Sequence, residues 1–192
     1  MFKILDEVCT PTRGTKYSAA VDLRAREDVV IGAGKTALVP LGIKIDEILL
    51  RDIAVMHYAM GQIPHRYDEV LDKFRKRHYL QLMLRSSLGK RGLILPNGVG
   101  IIDIDYKDEI MMVVHNPIIY IDEIIDFNCD EDYIELDYMG VSDSDKYVCS
   151  QEFTIKKGDR VAQITLLEHK SYLFDIDSNE VRNGGFGSTG SK

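Results

Sequence analysis

Short runs of apolar and β-branched residues recur along most of this chain and are separated by turn residues. Turns such as Pro-Asn-Gly at 96–98 and Lys-Lys-Gly-Asp at 156–159 contain residues that tolerate the positive φ angles of tight connections. Many short strands at this spacing predict an all-β sandwich or barrel. The predicted strands are 29–31, 36–45, 80–84, 93–95, 99–104, 110–115, 152–155 and 160–167.

Two segments interrupt this pattern. Residues 46–79 are predicted to be helical, because Tyr67, Val70, Leu71 and Phe74 recur at the spacing of one helix face. Residues 118–150 mix acidic residues with Ile, Tyr and Phe and are predicted to form an extra hairpin. The prediction is therefore one β domain over residues 1–177 with insertions at about 46–79 and 118–150. Residues 178–192 are predicted to be a flexible, glycine-rich C-terminal arm.

The net charge of −7 is concentrated in one segment. Residues 119–149 contain ten acidic side chains and Lys146, so this segment carries −9 and the rest of the chain +2. This distribution argues against a protein that coats nucleic acid, because polyanion binding requires a concentrated basic face. It is compatible with a small anionic ligand that is bound by a few well-placed arginines.

Three cysteines, Cys9, Cys129 and Cys149, have no metal-ligand spacing, which favours free thiols in a reducing compartment. No apolar run approaches the roughly 18 residues that a membrane span needs. We therefore expect a cytoplasmic protein, or one in the nucleus or host cytoplasm if a virus encodes it, with no membrane or nucleic-acid partner.

Residues 100–110 place two carboxylates and a tyrosine within four positions. In a continuous strand, Asp103 and Asp105 would share one face and Tyr106 would point to the other, unless a turn redirects it. A carboxylate beside an aromatic ring suits a site that activates water and holds a sugar. A polar hairpin end is the alternative interpretation of this segment alone.

Five segments stand in a characteristic order: SAAVDLRA at 18–25, LRSSLG at 84–89, NGVGIIDIDY at 97–106, GDRVAQ at 158–163 and RNGGFGSTG at 182–190. Each is weak alone, but together they closely resemble the homotrimeric dUTPases, which hydrolyse dUTP to dUMP and pyrophosphate. The resemblance covers nearly the whole chain apart from the two insertions. It implies a jelly-roll-like β core, Mg²⁺ as cofactor, and a homotrimer whose sites are shared between subunits. The implied roles are limiting uracil in DNA and supplying dUMP for dTMP synthesis.

The resemblance also implies roles for individual residues. Asp103 would accept the proton of the water that attacks the α-phosphorus, and Tyr106 would stack beneath the deoxyribose and exclude a 2′-OH. Asn97 and Gly100 would meet the uracil, and Asp22 would contact the metal indirectly, through water. The residues implied to bind the triphosphate or close over the nucleotide are Arg85, Ser86, Ser87, Arg160, Gln163, Arg182, Phe186, Gly187, Ser188 and Thr189.

The chain departs from the family pattern in two motifs. Ala20 and Val21 stand where the first motif commonly has glycine and an aromatic residue, and only Asn183 separates Arg182 from the following glycine pair. A dCTP deaminase on a related fold is one alternative, although the Asp-x-Asp-Tyr and Gly-Gly-Phe-Gly segments argue against it. A nucleotide-sensing regulatory protein is another. The insertions are either surface elaborations or a surface for a protein partner.

Overall fold

The computed structural model of the 192-residue chain describes residues 1–58, 66–121, 147–149, 152–174 and 176, with the backbone alone for 119–121 and 147–149. The strands are β1 (Phe2–Ile4), β2 (Val21–Arg24), β3 (Val29–Ile31), β4 (Lys35–Pro40), β5 (Ile43–Ile45), β6 (His78–Leu84), β7 (Gly100–Asp103), β8 (Met111–Asn116), β9 (Ile119–Ile121), β10 (Tyr147–Cys149), β11 (Phe153–Ile155) and β12 (Arg160–Glu168). The helices are α1 (Glu47–Tyr58), α2 (Tyr67–Arg75) and α3 (Ser86–Lys90), with 3₁₀ turns at Glu7–Cys9 and Ser171–Leu173.

The strands form antiparallel pairs around one core. The largest sheet has the order β2-β12-β6-β7, and the other pairs are β1-β5, β4-β8, β3-β11 and β9-β10. Leu80 and Leu82 alternate with less buried residues along β6, which is the two-residue period of a strand with one buried face. They pack in the same core as Ile164 of β12 and Met112 of β8. The predicted all-β architecture is confirmed.

The predicted strand at 36–45 is two strands, because the chain turns at Gly42. This glycine has a φ of 63°, and a Cβ there would lie 2.5 Å from the Cys9 sulfur. Of residues 93–95, only Ile94 pairs, in an isolated bridge with His115. Strands β1 and β2 and the short helix α3 were not predicted.

Helices α1 and α2 lie within the segment 46–79 that was predicted to be helical, and both pack in the main core, while residues 59–65 lie outside the described residues. The Asp46 carboxylate accepts hydrogen bonds from the N–H groups of Ile48 (2.9 Å) and Leu49 (3.0 Å), which fixes the start of α1. Leu50 of α1 and Phe74 of α2 are fully buried in the same hydrophobic cluster as the sheet residues. Burial of each such side chain contributes about 1.5–3 kcal/mol to the free energy of folding, so the helices stabilise the β core. Residues 78 and 79, predicted to be helical, open β6 instead.

Within the second insertion, β9 and β10 pair antiparallel with Ile119 opposite Cys149. The acidic segment 122–146 between them lies outside the described residues, as does the predicted arm at 178–192. Among the helices of the described residues, none is long and apolar enough to cross a membrane.

Candidate active site

One end of the main sheet gathers Asp22, Arg85, Arg160 and Gln163. Gln163 of β12 lies opposite Asp22 of β2 on one side and Met83 of β6 on the other, so the strand register alone brings these positions together. Arg85 directly follows β6, and its N–H donates to the carbonyl of Val161 (3.0 Å).

The Asp22 carboxylate is the centre of this cluster and is only 3% exposed. Its Oδ1 lies 3.2 Å from Nε of Arg85 and 3.1 Å from Nε2 of Gln163, and its Oδ2 lies 3.2 Å from Nη1 of Arg160. Two guanidinium groups therefore share one carboxylate, which leaves a net charge of +1 on the cluster. Arg160 is half-exposed, and the exposed Ser86 and Ser87 follow Arg85 in the chain. This surface is suited to an anion with several oxygen acceptors.

A pocket of about 210 Å³ lies between β7 and β8. Asn97, Gly100 and Tyr106 line it together with apolar side chains that include Leu82, Met111 and Val113. A Cβ at Gly100 would approach the Cβ of Leu82 to 3.1 Å, so glycine allows β6 and β7 to pair closely beside the pocket. The pocket combines apolar walls with a few polar groups, as small-molecule sites generally do.

The chain turns immediately after Asp103, and this turn determines where Tyr106 lies. β7 ends at Asp103, and the N–H of Tyr106 donates to the Asp103 carbonyl (3.1 Å). Asp103 and Asp105 therefore do not share one face of a continuous strand. The Tyr106 hydroxyl donates to the carbonyl of Glu109 (3.3 Å), which holds the ring at the pocket.

Glu109 supports this loop, although the sequence analysis assigned it no role. Its Oε1 accepts a hydrogen bond from the N–H of Gly42 (2.8 Å), and its Oε2 forms an ion pair with Arg26 (3.0 Å). These contacts tie residues 106–110 to the turn between β4 and β5. Its position close to the motif at 97–106 was the only available signal in the sequence, and its partners are distant in sequence.

The two halves of the site lie far apart within one chain. Asp103 pairs with Tyr79 near the start of β6, whereas Arg85 follows the end of β6, six residues further along. At about 3.3 Å per residue, this separation is roughly 20 Å along the strand. The predicted residues Arg182, Phe186, Gly187, Ser188 and Thr189 lie outside the described residues.

The described residues contain no group of three or more His, Cys, Asp and Glu side chains that could hold a metal ion. Asp22, the predicted metal-linked acid, has nitrogen donors at both carboxylate oxygens.

Comparison with known proteins defines the family. No family model matches the chain. The deoxyuridine 5′-triphosphate nucleotidohydrolase of Tolumonas auensis is 30% identical over 200 residues, which cover 98% of this chain and 95% of that protein. The protein of the same name from Pseudomonas aeruginosa is 30% identical over 188 residues, which cover 94% of this chain and 87% of that protein. The chain belongs to the dUTPase family.

Solved dUTPase structures share its fold. The dUTPase of Streptococcus mutans is 23% identical with a TM-score of 0.51, covering 92% of this chain and 98% of that one. A mutant dUTPase of Staphylococcus bacteriophage 80alpha, solved with dUpNHpp, is 18% identical with a TM-score of 0.53, covering 100% of this chain and 98% of that one. The jelly-roll-like β fold is thus confirmed, and the chain is a hydrolase of the dUTPase family.

Proposed function

We propose that the protein hydrolyses dUTP to dUMP and pyrophosphate by attack of water on the α-phosphorus. The observation that carries this proposal is the pocket lined by Asn97, Gly100 and Tyr106, with Asp103 in the same turn as Tyr106. A volume of about 210 Å³ is below the usual range for a whole drug-sized ligand, so the pocket suits the base and sugar. The triphosphate then lies outside it.

Asn97 and nearby backbone groups read the edge of uracil in this proposal. Cytosine presents a donor where uracil presents an acceptor, so a mismatched base leaves buried polar groups unpaired. Tyr106 lies against the sugar, where its ring excludes a 2′-OH. The hydrogen bonds that hold Tyr106 support this role, because the ring can exclude a ribonucleotide only if it does not move aside.

Asp103 acts as the general base. As the oxygen of the attacking water bonds to the α-phosphorus, its proton passes to the Asp103 carboxylate. The bond from the α-phosphorus to the bridging oxygen breaks, and pyrophosphate leaves with that oxygen. Arg85, Arg160, Gln163, Ser86 and Ser87 donate hydrogen bonds to the phosphate oxygens and stabilise the negative charge that shifts toward the leaving group.

Mg²⁺ is the proposed cofactor, and when bound with the nucleotide it would neutralise charge on the leaving pyrophosphate. The described residues do not offer it a ligand cluster, and the donors around Asp22 do not fit a cation. The triphosphate oxygens and water are the ligands that Mg²⁺ commonly prefers in such sites. No step assigned to the protein's residues depends on a protein ligand for this ion.

The complete site forms between subunits, in a homotrimer. Asp103 and Arg85 are roughly 20 Å apart along β6 in one chain, whereas both must reach the reacting phosphate. A neighbouring copy can supply the arginine cluster opposite the nucleoside pocket. Arg182, Phe186, Gly187, Ser188 and Thr189 are proposed to close over the nucleotide from the C-terminal arm.

This reaction would keep uracil out of DNA by consuming dUTP, and it would supply dUMP for dTMP synthesis. We place it in the cytoplasm, or in the nucleus or host cytoplasm for a viral protein. The insertions remain candidates for contact with a protein partner.

The direct test is pyrophosphate release with Mg²⁺ from dUTP, dCTP, dTTP, dATP, dGTP and UTP. We expect release from dUTP alone and a loss of at least about 100-fold in kcat in Asp103→Asn, since a general base commonly contributes that much. Asp105→Asn is the matched control, because it removes an exposed carboxylate two residues away and leaves the proposed base intact. Ammonia release from dCTP would identify a deaminase instead. Binding of dUTP without turnover would favour a nucleotide sensor.

A further inference from the structure

We infer that Asp22 is a positioning residue that orients the phosphate-binding arginines, rather than an acid linked to the metal. This inference rests on the proposed function, because it assigns Asp22 a role in the same triphosphate site. It differs from the role that the family resemblance implies for this aspartate.

The backbone of Asp22 is held from both sides. Its N–H donates to the carbonyl of Thr12 (2.7 Å), and its carbonyl accepts from the N–H of Thr12 (3.1 Å). On the other side, β2 pairs with β12 so that Asp22 lies opposite Gln163. The backbone contacts therefore fix the position of the buried Asp22 carboxylate, and this carboxylate orients the side chains that contact it.

Asp22 forms an ion pair with the Arg85 guanidinium, which also donates a hydrogen bond to a backbone carbonyl. Nε of Arg85 contacts Asp22 at 3.2 Å, while its Nη1 donates to the carbonyl of Arg160 at 3.4 Å. These two contacts lie at different edges of the planar group and restrain its rotation. The remaining Nη2 edge is then presented in one orientation, as required for recognition of a phosphate oxygen. Preorganisation of this kind reduces the cost of ordering the side chain when the nucleotide binds.

The surroundings of Asp22 suit arginines and not a metal ion. A buried carboxylate needs compensating partners, and two guanidinium groups and one amide already supply them. A divalent cation beside the same carboxylate would be repelled by both arginines. With 4% of its side chain exposed, Asp22 also offers almost no surface to a water molecule in a hydrated metal ion.

The inference is tested with a double-mutant cycle on binding of dUpNHpp in EDTA, where no divalent metal is present. Asp22→Asn, Arg85→Ala and the double variant are compared with the unaltered trimer. We expect Asp22→Asn to raise the dissociation constant at least about fivefold. The effect should be clearly smaller in the Arg85→Ala background, because residues that act through one another are not additive; Arg160 accounts for what remains, since Asp22 contacts it too. Asp28→Asn, at an exposed ion pair elsewhere, is the control for general effects of charge.

A different pattern of binding and activity would contradict the inference. If Asp22→Asn leaves the dissociation constant in EDTA unchanged and instead raises the Mg²⁺ concentration needed for activity, Asp22 acts through the metal and the inference fails. If the unaltered protein binds dUpNHpp neither in EDTA nor with Mg²⁺, the proposed function fails independently. Should Asp22→Asn not fold, Asp22→Glu keeps the charge, displaces the carboxylate by one methylene and enters the same cycle.

Discussion

Tyr106 is held between two backbone carbonyls of its own loop, those of Asp103 and Glu109. We expect Tyr106→Ala to lower the ratio of kcat/KM for dUTP to that for UTP at least about tenfold, because removing the ring makes room for the 2′-OH. The measurement is pyrophosphate release from both nucleotides over a range of concentrations. Tyr17→Ala, which removes an 84% exposed ring elsewhere, is expected to leave the ratio unchanged. An unchanged ratio in Tyr106→Ala would show that discrimination between the sugars lies in other residues.

The residue types of the candidate site could be read from the sequence, but their partners could not. Asp103 and Tyr106 were found from a short segment, whereas their relation depends on a turn that begins where β7 ends. Asp22 was found as an acid in the first motif. It contacts Arg85, 63 positions later in the sequence, and Arg160, 138 positions later, and these contacts follow from strand pairing that local patterns do not encode.

His78 connects the helical insertion to the sheet, because it opens β6 and stacks on Phe74 of α2 with ring centroids 4.1 Å apart. Its Nδ1 lies 2.9 Å from the Phe74 carbonyl. Burial lowers the pKa of His78 below its ordinary value of 6.5, and nearby His57 acts in the same direction. The Phe74 carbonyl and Glu168 oppose this shift, while His169 adds to it.

We therefore expect the free energy of unfolding to fall as the pH is lowered below about 6.5, because the unfolded chain binds a proton that the folded chain resists. For one such group the slope is at most about 1.4 kcal/mol per pH unit, and it ends when the pH falls below the folded-state pKa. Urea unfolding between pH 5 and 7.5 measures it, with His78→Gln expected to flatten the curve. His115→Gln is the control and should retain the slope. An equal slope in His78→Gln would assign the effect to other groups.

At the scale of secondary structure, the sequence predicted the helices from their periodicity but missed strands and breaks that depend on distant partners. Helix α2 was predicted from the helical spacing of residues that include Leu71 and Phe74, and the structure buries both; α1 lies in the same segment 46–79 that was predicted to be helical. Strands β1 and β2 were missed although they are no shorter than the predicted β3, and they pair with β5 and β12, which are distant in sequence. The break at Gly42 was missed because one glycine within an apolar run does not show that the chain turns there, and its close approach to Cys9, 33 positions earlier, depends on the fold.

At the scale of the whole molecule, the fold places the motifs in two groups that lie toward opposite ends of the main sheet. The motifs around Asp22, Arg85 and Gln163 meet at one end of the main sheet, whereas Asp103 lies opposite Tyr79 toward the other. A linear sequence cannot reveal this separation, because it arises from the antiparallel pairing of β6 with β7 and β12. Assembly is therefore part of the catalytic proposal, and a monomer is expected to be nearly inactive.

Mixed trimers of two inactive variants test this arrangement. Asp103→Asn retains the arginine cluster, and Arg85→Ala retains the proposed base, so a site between one subunit of each kind can contain both intact groups. For random assembly from equal amounts, roughly a quarter of the shared sites are complete, because each intact group is drawn independently from a different subunit. Co-refolding the variants and measuring dUTP hydrolysis against the separately refolded parents should recover about that fraction of activity.

A second mixture makes the result independent of how well each variant refolds. The unaltered chain is combined in equal amounts with a chain carrying both Asp103→Asn and Arg85→Ala. Shared sites again predict roughly a quarter of full activity, since both contributing subunits must be unaltered, whereas sites within one chain predict roughly half. If the two single variants recover nothing and the second mixture retains half, each chain contains its own complete site. The roughly 20 Å separation would then have to close by a rearrangement of the chain itself when dUTP binds.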